Sequence, residues 1–356
     1  MPKTTLANFQ IDRLSILDPS GNADAQILPK LGDSQLLQLY ELLSFTRMAD
    51  QRALDLQREG RLGTYPSSLG QEATQVGSGF ALQPQDWVFP GFRELGVFLC
   101  RDFPLELIYR FWTGDERGQQ IPEGNNIFPV CIAVGTHILH AAGAALAAKY
   151  RGDGAVMVAY LGDGATSKGD FHEALNMAGV YRLPLVVICQ NNQWAISVPR
   201  RAQTAAQTLA QKAIAHGVRG IQVDGNDVLA VYQATKEALD QARNGDGPSF
   251  IECETYRMED HTTADDARRY REPQELDEWR TRDPLLRMRR YLEQQRLWSA
   301  GDQEQLELTL KERIDRAVSV AESAVPPEIA DMFRYTCHSL SSRQLEQLEE
   351  CRHGRA

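Results

Sequence analysis

Apolar runs of strand length alternate with longer amphipathic stretches between residues 155 and 255. Residues 155–161, 185–190, 220–223 and 249–255 read as strands, and the first two as buried ones. Helical spacing of apolar residues fills the segment after 163 and recurs over 209–216 and 227–244. Strand and helix in alternation predict an α/β fold, with a largely parallel sheet flanked by helices.

Upstream, apolar positions at Leu36, Leu39 and Leu43 predict a helix over about 35–60, with Ser34 as its cap. Residues 63–70 are a Tyr/Pro/Ser loop, 71–82 a helix rich in small residues, and 86–100 a short strand, a turn at Pro90-Gly91 and a helix. Residues 113–135 show no period, and so long an irregular stretch inside a domain is usually a functional loop. A helix with a small-residue face covers 137–150, where Gly143 and Ala147 allow close packing. His137, His140 and His172 read as core or interface residues. The expected organisation is an N-terminal arm over 1–32 that packs on something else, an α/β domain over 33–282 and a helical region over 283–356 packed on it.

Two strand ends carry candidate chemistry. The run 155–161 stops in Gly162-Asp163-Gly164, and 185–190 stops in Asn191-Asn192. Strands joined by one helix run parallel, so both stops fall at the same edge of the sheet. The 26 residues from 165 to 190 leave room for that connection, since a helix of about 15 residues spans only about 22 Å. The carboxyl edge is where open α/β sheets bind ligands. A carboxylate and a carboxamide oxygen are hard ligands suited to Mg²⁺ that completes its shell with phosphate oxygens. The glycines permit close backbone approach to a phosphate, and Ser167-x-x-Asp170 has the form of a capping box opening the next helix. No GxGxxG opens a helix and no GxxxxGK[ST] is present, which argues against a dinucleotide or P-loop site.

Composition narrows the class. A formal charge of −10 disfavours nucleic acid and anionic membranes. No apolar run reaches transmembrane length, no secretory core opens the chain, and the six cysteines form no CxxC pair. Cys189 and Cys253 fall in strand-like runs and read as buried thiols. A cytoplasmic protein is expected.

The spacing Gly-Asp-Gly, 26 residues, Asn-Asn resembles the thiamine-diphosphate motif. Further stretches, "GRLGTYPSSLGQEATQVGSG" (60–79), "QIPEGNNIFP" (120–129), "QNNQWAISVP" (190–199), "VDGNDVLAVYQATKEAL" (223–239) and "HTTADDARRYR" (261–271), resemble the alpha subunits of the decarboxylating component of 2-oxo acid dehydrogenase complexes. The likeness runs from about 35 to 300 and lies nearest the bacterial pyruvate type, with the branched-chain type next. It implies a thiamine-diphosphate-binding fold and oxidative decarboxylation of pyruvate, with the acyl group passed to a lipoyl domain. It also implies site residues. Asp163, Asn192 and the backbone carbonyl of Trp194 would hold Mg²⁺, and Gly162, Gly164, Ala165 and Arg93 would hold the diphosphate. Val134 would touch the aminopyrimidine, His261 would be the catalytic histidine at the mouth, and Arg257, Tyr270 and Arg271 would order its loop.

The departures are informative. Phe92 stands where the family often has a cofactor-binding Tyr, and Gln190 matches the bacterial pyruvate type. Thr262 and Glu272 replace the serines phosphorylated in animal enzymes, so kinase control of that kind is not expected. The resemblance places the glutamate that activates the cofactor on a separate beta subunit. It therefore implies an alpha₂beta₂ heterotetramer, inactive as the alpha chain alone, that serves a lipoyl-bearing acyltransferase core. Branched-chain 2-oxo acids and acetoin remain alternative substrates, and a non-catalytic scaffold paralogue is the alternative outside enzymology. A transketolase-like enzyme complete in one chain needs more than 356 residues.

Overall fold

The computed structural model describes residues 3–354. Its strands are β1 (Arg13–Leu14), β2 (Trp87–Phe89), β3 (Met157–Gly162), β4 (Leu185–Asn191), β5 (Trp194–Ala195), β6 (Val198–Pro199), β7 (Arg219–Asp224) and β8 (Ser249–Glu254). Six of them form one sheet in the order β1-β7-β8-β4-β3-β2, and every pairing in it is parallel. β5 and β6 form a separate antiparallel ribbon.

The central strands are apolar without interruption because both sheet faces are covered. Along β3, Val158 and Tyr160 enter one core, and Met157, Ala159 and Leu161 enter the other. β4 divides the same way, with Val186 and Ile188 opposite Leu185, Val187 and Cys189. The first core is roofed by α1 (Asp33–Arg58), α2 (Glu72–Phe80), α3 (Leu95–Cys100), α4 (Leu105–Trp112) and the helix Val228–Arg243. The second lies under α5 (His137–Arg151) and α6 (Gly169–Tyr181). Cys189 and Cys253 are buried thiols, as expected.

α2 is enclosed along its length, with every residue from Glu72 to Gly79 buried. Small residues make this possible: a Cβ on Gly77 would lie 2.7 Å from the carbonyl oxygen of Val228. The helices Pro284–Gln294 and Ala300–Glu322 close the outside of the first core through Met288, Leu292, Leu310 and Ile314.

Several boundaries differ from the pattern in the sequence. α1 starts at Asp33 with Gly32 as its cap, and Ser34 falls inside the first turn. The cause is Gln35, whose side-chain oxygen accepts from the Gly32 N–H at 3.1 Å. The Ser167-x-x-Asp170 box does not form. Residues Asp163–Ser167 instead wind into a 3₁₀ turn in which Thr166 Oγ1 donates to the Asp163 carbonyl, and α6 begins two residues later. The helix read over 209–216 shrinks to Gln211–Ile214 because the chain turns at Gly217, whose φ is +66°.

The first residues also find a partner within the chain. β1 pairs with β7, Ile16 and Leu17 are buried, and Asp227 fixes them. One oxygen of Asp227 accepts from the Leu229 and Ala230 N–H groups as the helix cap, while the other accepts from Ile16 N and Leu17 N at 2.6 Å each. One carboxylate thus satisfies four backbone donors in two elements. Replacing a capping Asp by Ala costs about 0.5–2 kcal/mol, and the two orphaned arm amides add to that. Asp227→Ala is expected to lower stability by about 2–4 kcal/mol and to expose the chain near residues 10–20 to limited proteolysis, read by thermal unfolding and mass spectrometry of the first cleavage products.

Candidate active site

Four neighbouring strands exit at the same edge. β3 pairs with β4 in a register that sets Gly162 opposite Gln190, and β4 pairs with β8 with Asn191 opposite Glu254. The residues after these strands, and those after β2, therefore converge. Beyond β8 the chain keeps contact with β4 through Thr255 N donating to Asn191 O and Arg257 N to Asn192 O. A cavity of about 490 Å³ opens there. Phe92, Arg93, Val134, Gly162, Asp163, Gly164, Ala165, Asn192, Trp194 and His261 all border it. Arg257, Tyr270 and Arg271 do not; they stand behind the wall and brace it.

Asp163 is buried, and burial pushes its carboxyl up to about 6. Among the described residues its one side-chain donor is Gln203, whose Nε2 lies 2.6 Å from Oδ2. Asn192 is fixed at both ends: its Oδ1 accepts from the Trp194 N–H at 3.2 Å, and its Nδ2 donates to Gln71 Oε1 at 3.0 Å. A Cβ on Gly162 would meet nothing within 4 Å, so the backbone there faces open space. Gly164 is tightly held, since a Cβ would come 2.7 Å from that of Ala195 in the ribbon.

The opposite wall is cationic. Arg93 donates to the Ser67 carbonyl at 2.5 Å and to the His261 carbonyl at 2.8 Å, and its Nη2 lies 3.3 Å from His261 Nδ1. Arg257 donates to the Ile196 carbonyl and to the Tyr270 hydroxyl, both at 2.8 Å, and its Nη1 lies 3.4 Å from His261 Nδ1 and from the Trp194 carbonyl. Both guanidinium groups are buried, and among the described residues neither forms an ion pair with a carboxylate. Burial, reinforced by Arg257, pulls Arg93 down to about 10, which still leaves it charged at neutral pH. Two buried cations with neutral acceptors, Arg93 on the cavity wall and Arg257 behind it, form an arrangement that could hold an anion.

His261 lies between them. Its backbone N–H and the Tyr270 hydroxyl both donate to Asp265, and Arg271 donates to the Arg257 carbonyl at 2.7 Å. Thr263 N donates to Tyr65 O, and Tyr65 N donates to Thr263 Oγ1, which ties the loop to the segment before α2. Phe92 packs edge-on to the His261 ring at 6.1 Å. Burial, then the charges of Arg93 and Arg257, pull the imidazole down to about 4.

Other cavity residues carry no obvious mark in the sequence. Glu94 borders the cavity, is held by Gln190 Nε2 at 2.7 Å and by the Arg93 N–H at 3.0 Å, and burial raises its carboxyl to about 7. Gln75 donates to Gln190 Oε1 and to the Arg93 carbonyl. Gln71 and Gln203 hold the two candidate metal ligands. A detectable signal was the density of polar residues (Gln71, Glu72, Thr74, Gln75, Ser78) in a segment otherwise made of small residues. In a buried helix each such group needs a partner. His137 is buried, as its reading as a core or interface residue implies, and it also borders the cavity. Its Nε2 lies 2.6 Å from the Tyr160 carbonyl and so donates, and Nδ1 is buried with no partner among the described residues. His172 pairs with His216 away from the cavity, as a structural role implies.

Two guanidinium donors facing Nδ1 place the His261 proton on Nε2. The unfolded chain gains a proton on this residue near 6.5 while the folded chain resists until about 4. Stability from this group is therefore full above pH 6.5 and falls as the pH drops toward 4. The His261 ring resonances, identified by loss in His261→Gln, are expected to stay flat from pH 8 to 5.5; a midpoint near 6.5 would contradict this geometry.

Comparison with known proteins gives a consistent picture. Residues 40–330 match the family model described as "Dehydrogenase E1 component". The chain is 43% identical over 342 residues to the pyruvate dehydrogenase E1 component subunit alpha of Staphylococcus aureus (strain Mu50), covering 96% of this chain and 92% of that one. It is 42% identical, with the same coverage, to the protein of that name from Staphylococcus epidermidis (strain RP62A). A match this long, with the motif residues gathered at one sheet edge, shows that the chain belongs to the dehydrogenase E1 component family.

Proposed function

We propose that this cavity holds thiamine diphosphate together with Mg²⁺, and that the chain is the alpha subunit of a pyruvate dehydrogenase. The family depends on thiamine diphosphate, and its members are components of 2-oxo acid dehydrogenases. The observation that carries the reading is that Arg93, a buried guanidinium without an ion-pair partner among the described residues, borders the same cavity as a carboxylate and a carboxamide, with a second such cation, Arg257, behind the wall. A diphosphate would satisfy the cations, and a divalent cation would satisfy Asp163. Asp163 and Asn192 supply two hard oxygens, and the Trp194 carbonyl would add a third. That number suits Mg²⁺, which keeps phosphate and water oxygens in its shell.

Gly162, Gly164 and Ala165 bring backbone to the diphosphate, and Arg93 supplies a charge-assisted donor. Phe92 and Val134 border the apolar part. Thiamine diphosphate, when bound, supplies the nucleophilic carbon and the electron sink for loss of CO₂ from a 2-oxo acid. The protein positions and shields. Neutral His261 presents an Nε2–H donor to the substrate oxygens, and the Arg257–Tyr270–Asp265 brace holds that ring in place.

Among the described residues the cavity wall contributes two carboxyl groups, Asp163 and Glu94, and both are held by side-chain amides. This agrees with the family resemblance, which places the acid for the far end of the cofactor on a separate beta subunit. Ile132, Val134 and Ile196 are exposed at the cavity, and the apolar surface continues along α5 through Leu139, Leu146 and Tyr150. This supports a beta subunit covering the mouth in an alpha₂beta₂ assembly, which hands the acyl group to a lipoyl-bearing acyltransferase core. Among the described residues no helix is long and apolar enough to cross a membrane, and we place the assembly in the cytoplasm. The substrate follows the two Staphylococcus relatives, both named for pyruvate.

The test is reduction of an artificial electron acceptor by the protein purified with its natural partner. Turnover with pyruvate is expected to exceed that with 3-methyl-2-oxobutanoate, to require thiamine diphosphate and Mg²⁺, and to vanish when the alpha chain is isolated. Preference for the branched substrate or for acetoin would reassign the complex. No turnover with any of them would favour a scaffold role.

A further inference from the structure

Gln71 is wholly buried, precedes α2 and borders the cavity. Its backbone is fixed by Gly70, whose φ is +92° and whose Cβ, if present, would lie 2.4 Å from the Tyr256 carbonyl oxygen. The side-chain orientation follows from a backbone donor. The Trp194 N–H can meet only an acceptor, so the end of Asn192 at 3.2 Å from it is the oxygen. The other end of Asn192 is then the NH₂ group, and the Gln71 atom 3.0 Å from it must be the carbonyl oxygen. The Gln71 amide is thereby turned the other way. Its Nε2 is a buried donor with no partner among the described residues. An unsatisfied buried donor is costly and rare in native structures, and this one borders the cavity that Arg93, Asp163 and Asn192 also line.

We propose that Gln71 couples the cation site to the anion site. Its carbonyl end holds the Asn192 carboxamide in the orientation that leaves Oδ1 for the metal, and its amide end donates to the diphosphate. The inference rests on the cofactor reading above and adds to it a residue that touches the ligand through one end and a metal ligand through the other.

The two ends can be separated experimentally. Gln71→Glu keeps an acceptor for Asn192 and replaces the donor by a carboxylate facing the diphosphate. Gln71→Met keeps the bulk and removes both functions. The readout is binding to the assembled protein at pH 7.5 with Mg²⁺, measured by calorimetry for thiamine diphosphate and for thiamine, which lacks the phosphates. Loss of one hydrogen bond to a charged group corresponds to about tenfold or more in affinity. Both variants are expected to lower the ratio of thiamine diphosphate to thiamine affinity at least about tenfold, with Gln71→Glu the more severe. A ratio unchanged in a variant that folds and assembles would overturn the proposal. If the buried carboxylate of Gln71→Glu prevents folding, the Gln71→Met ratio decides alone. Absence of thiamine diphosphate binding by the wild-type assembly would instead count against the cofactor reading itself.

Discussion

The parallel pairing of β2, β3, β4 and β8 is the constraint on which the rest depends. Parallel strands leave the sheet at a common edge, so polar residues that are remote in sequence meet without any long excursion. The register does the positioning: Gly162 opposite Gln190 sets Asp163 beside Asn192, and Asn191 opposite Glu254 sets Arg257 beside both. Apolar faces on both sides of the sheet hold that register, because a slip by one residue would exchange the two cores.

Burial then shapes the electrostatics. Arg93 and Arg257 are kept from water and given backbone carbonyls, a hydroxyl and one imidazole as partners. Asp163 is kept from water too, and its carboxyl rises to about 6. Each group is in a state that a ligand of opposite charge would relieve. The same field keeps His261 neutral, so it serves as a hydrogen-bond donor at pH 7 and not as a cation. The protein holds these groups ready through neutral contacts: Gln203 for Asp163, Gln71 for Asn192, and Ser67 for Arg93.

Much of this was legible in the chain itself. Continuous apolar runs that end in Gly-Asp-Gly and Asn-Asn announce buried parallel strands and a shared edge, and the structure has both. What stayed hidden was the set of residues that act through a partner. Gln71, Gln203 and Glu94 have no spacing rule, because their role depends on contacts between segments 40 to 121 residues apart. His137 is buried as read, but its place at the cavity was hidden, because helical periodicity places a residue on a face and does not say that the helix start abuts a cavity. The cap assignments at Ser34 and Ser167 failed for a local reason: a neighbouring residue offered the helix end a different closure.

The most direct test of the central claim is a Mn²⁺ titration of the purified alpha–beta assembly followed by electron paramagnetic resonance, with and without thiamine diphosphate. The account predicts one tight Mn²⁺ per alpha chain only when thiamine diphosphate is present, and its loss in Asp163→Asn. Tight Mn²⁺ binding that ignores thiamine diphosphate, or that survives Asp163→Asn, would contradict it.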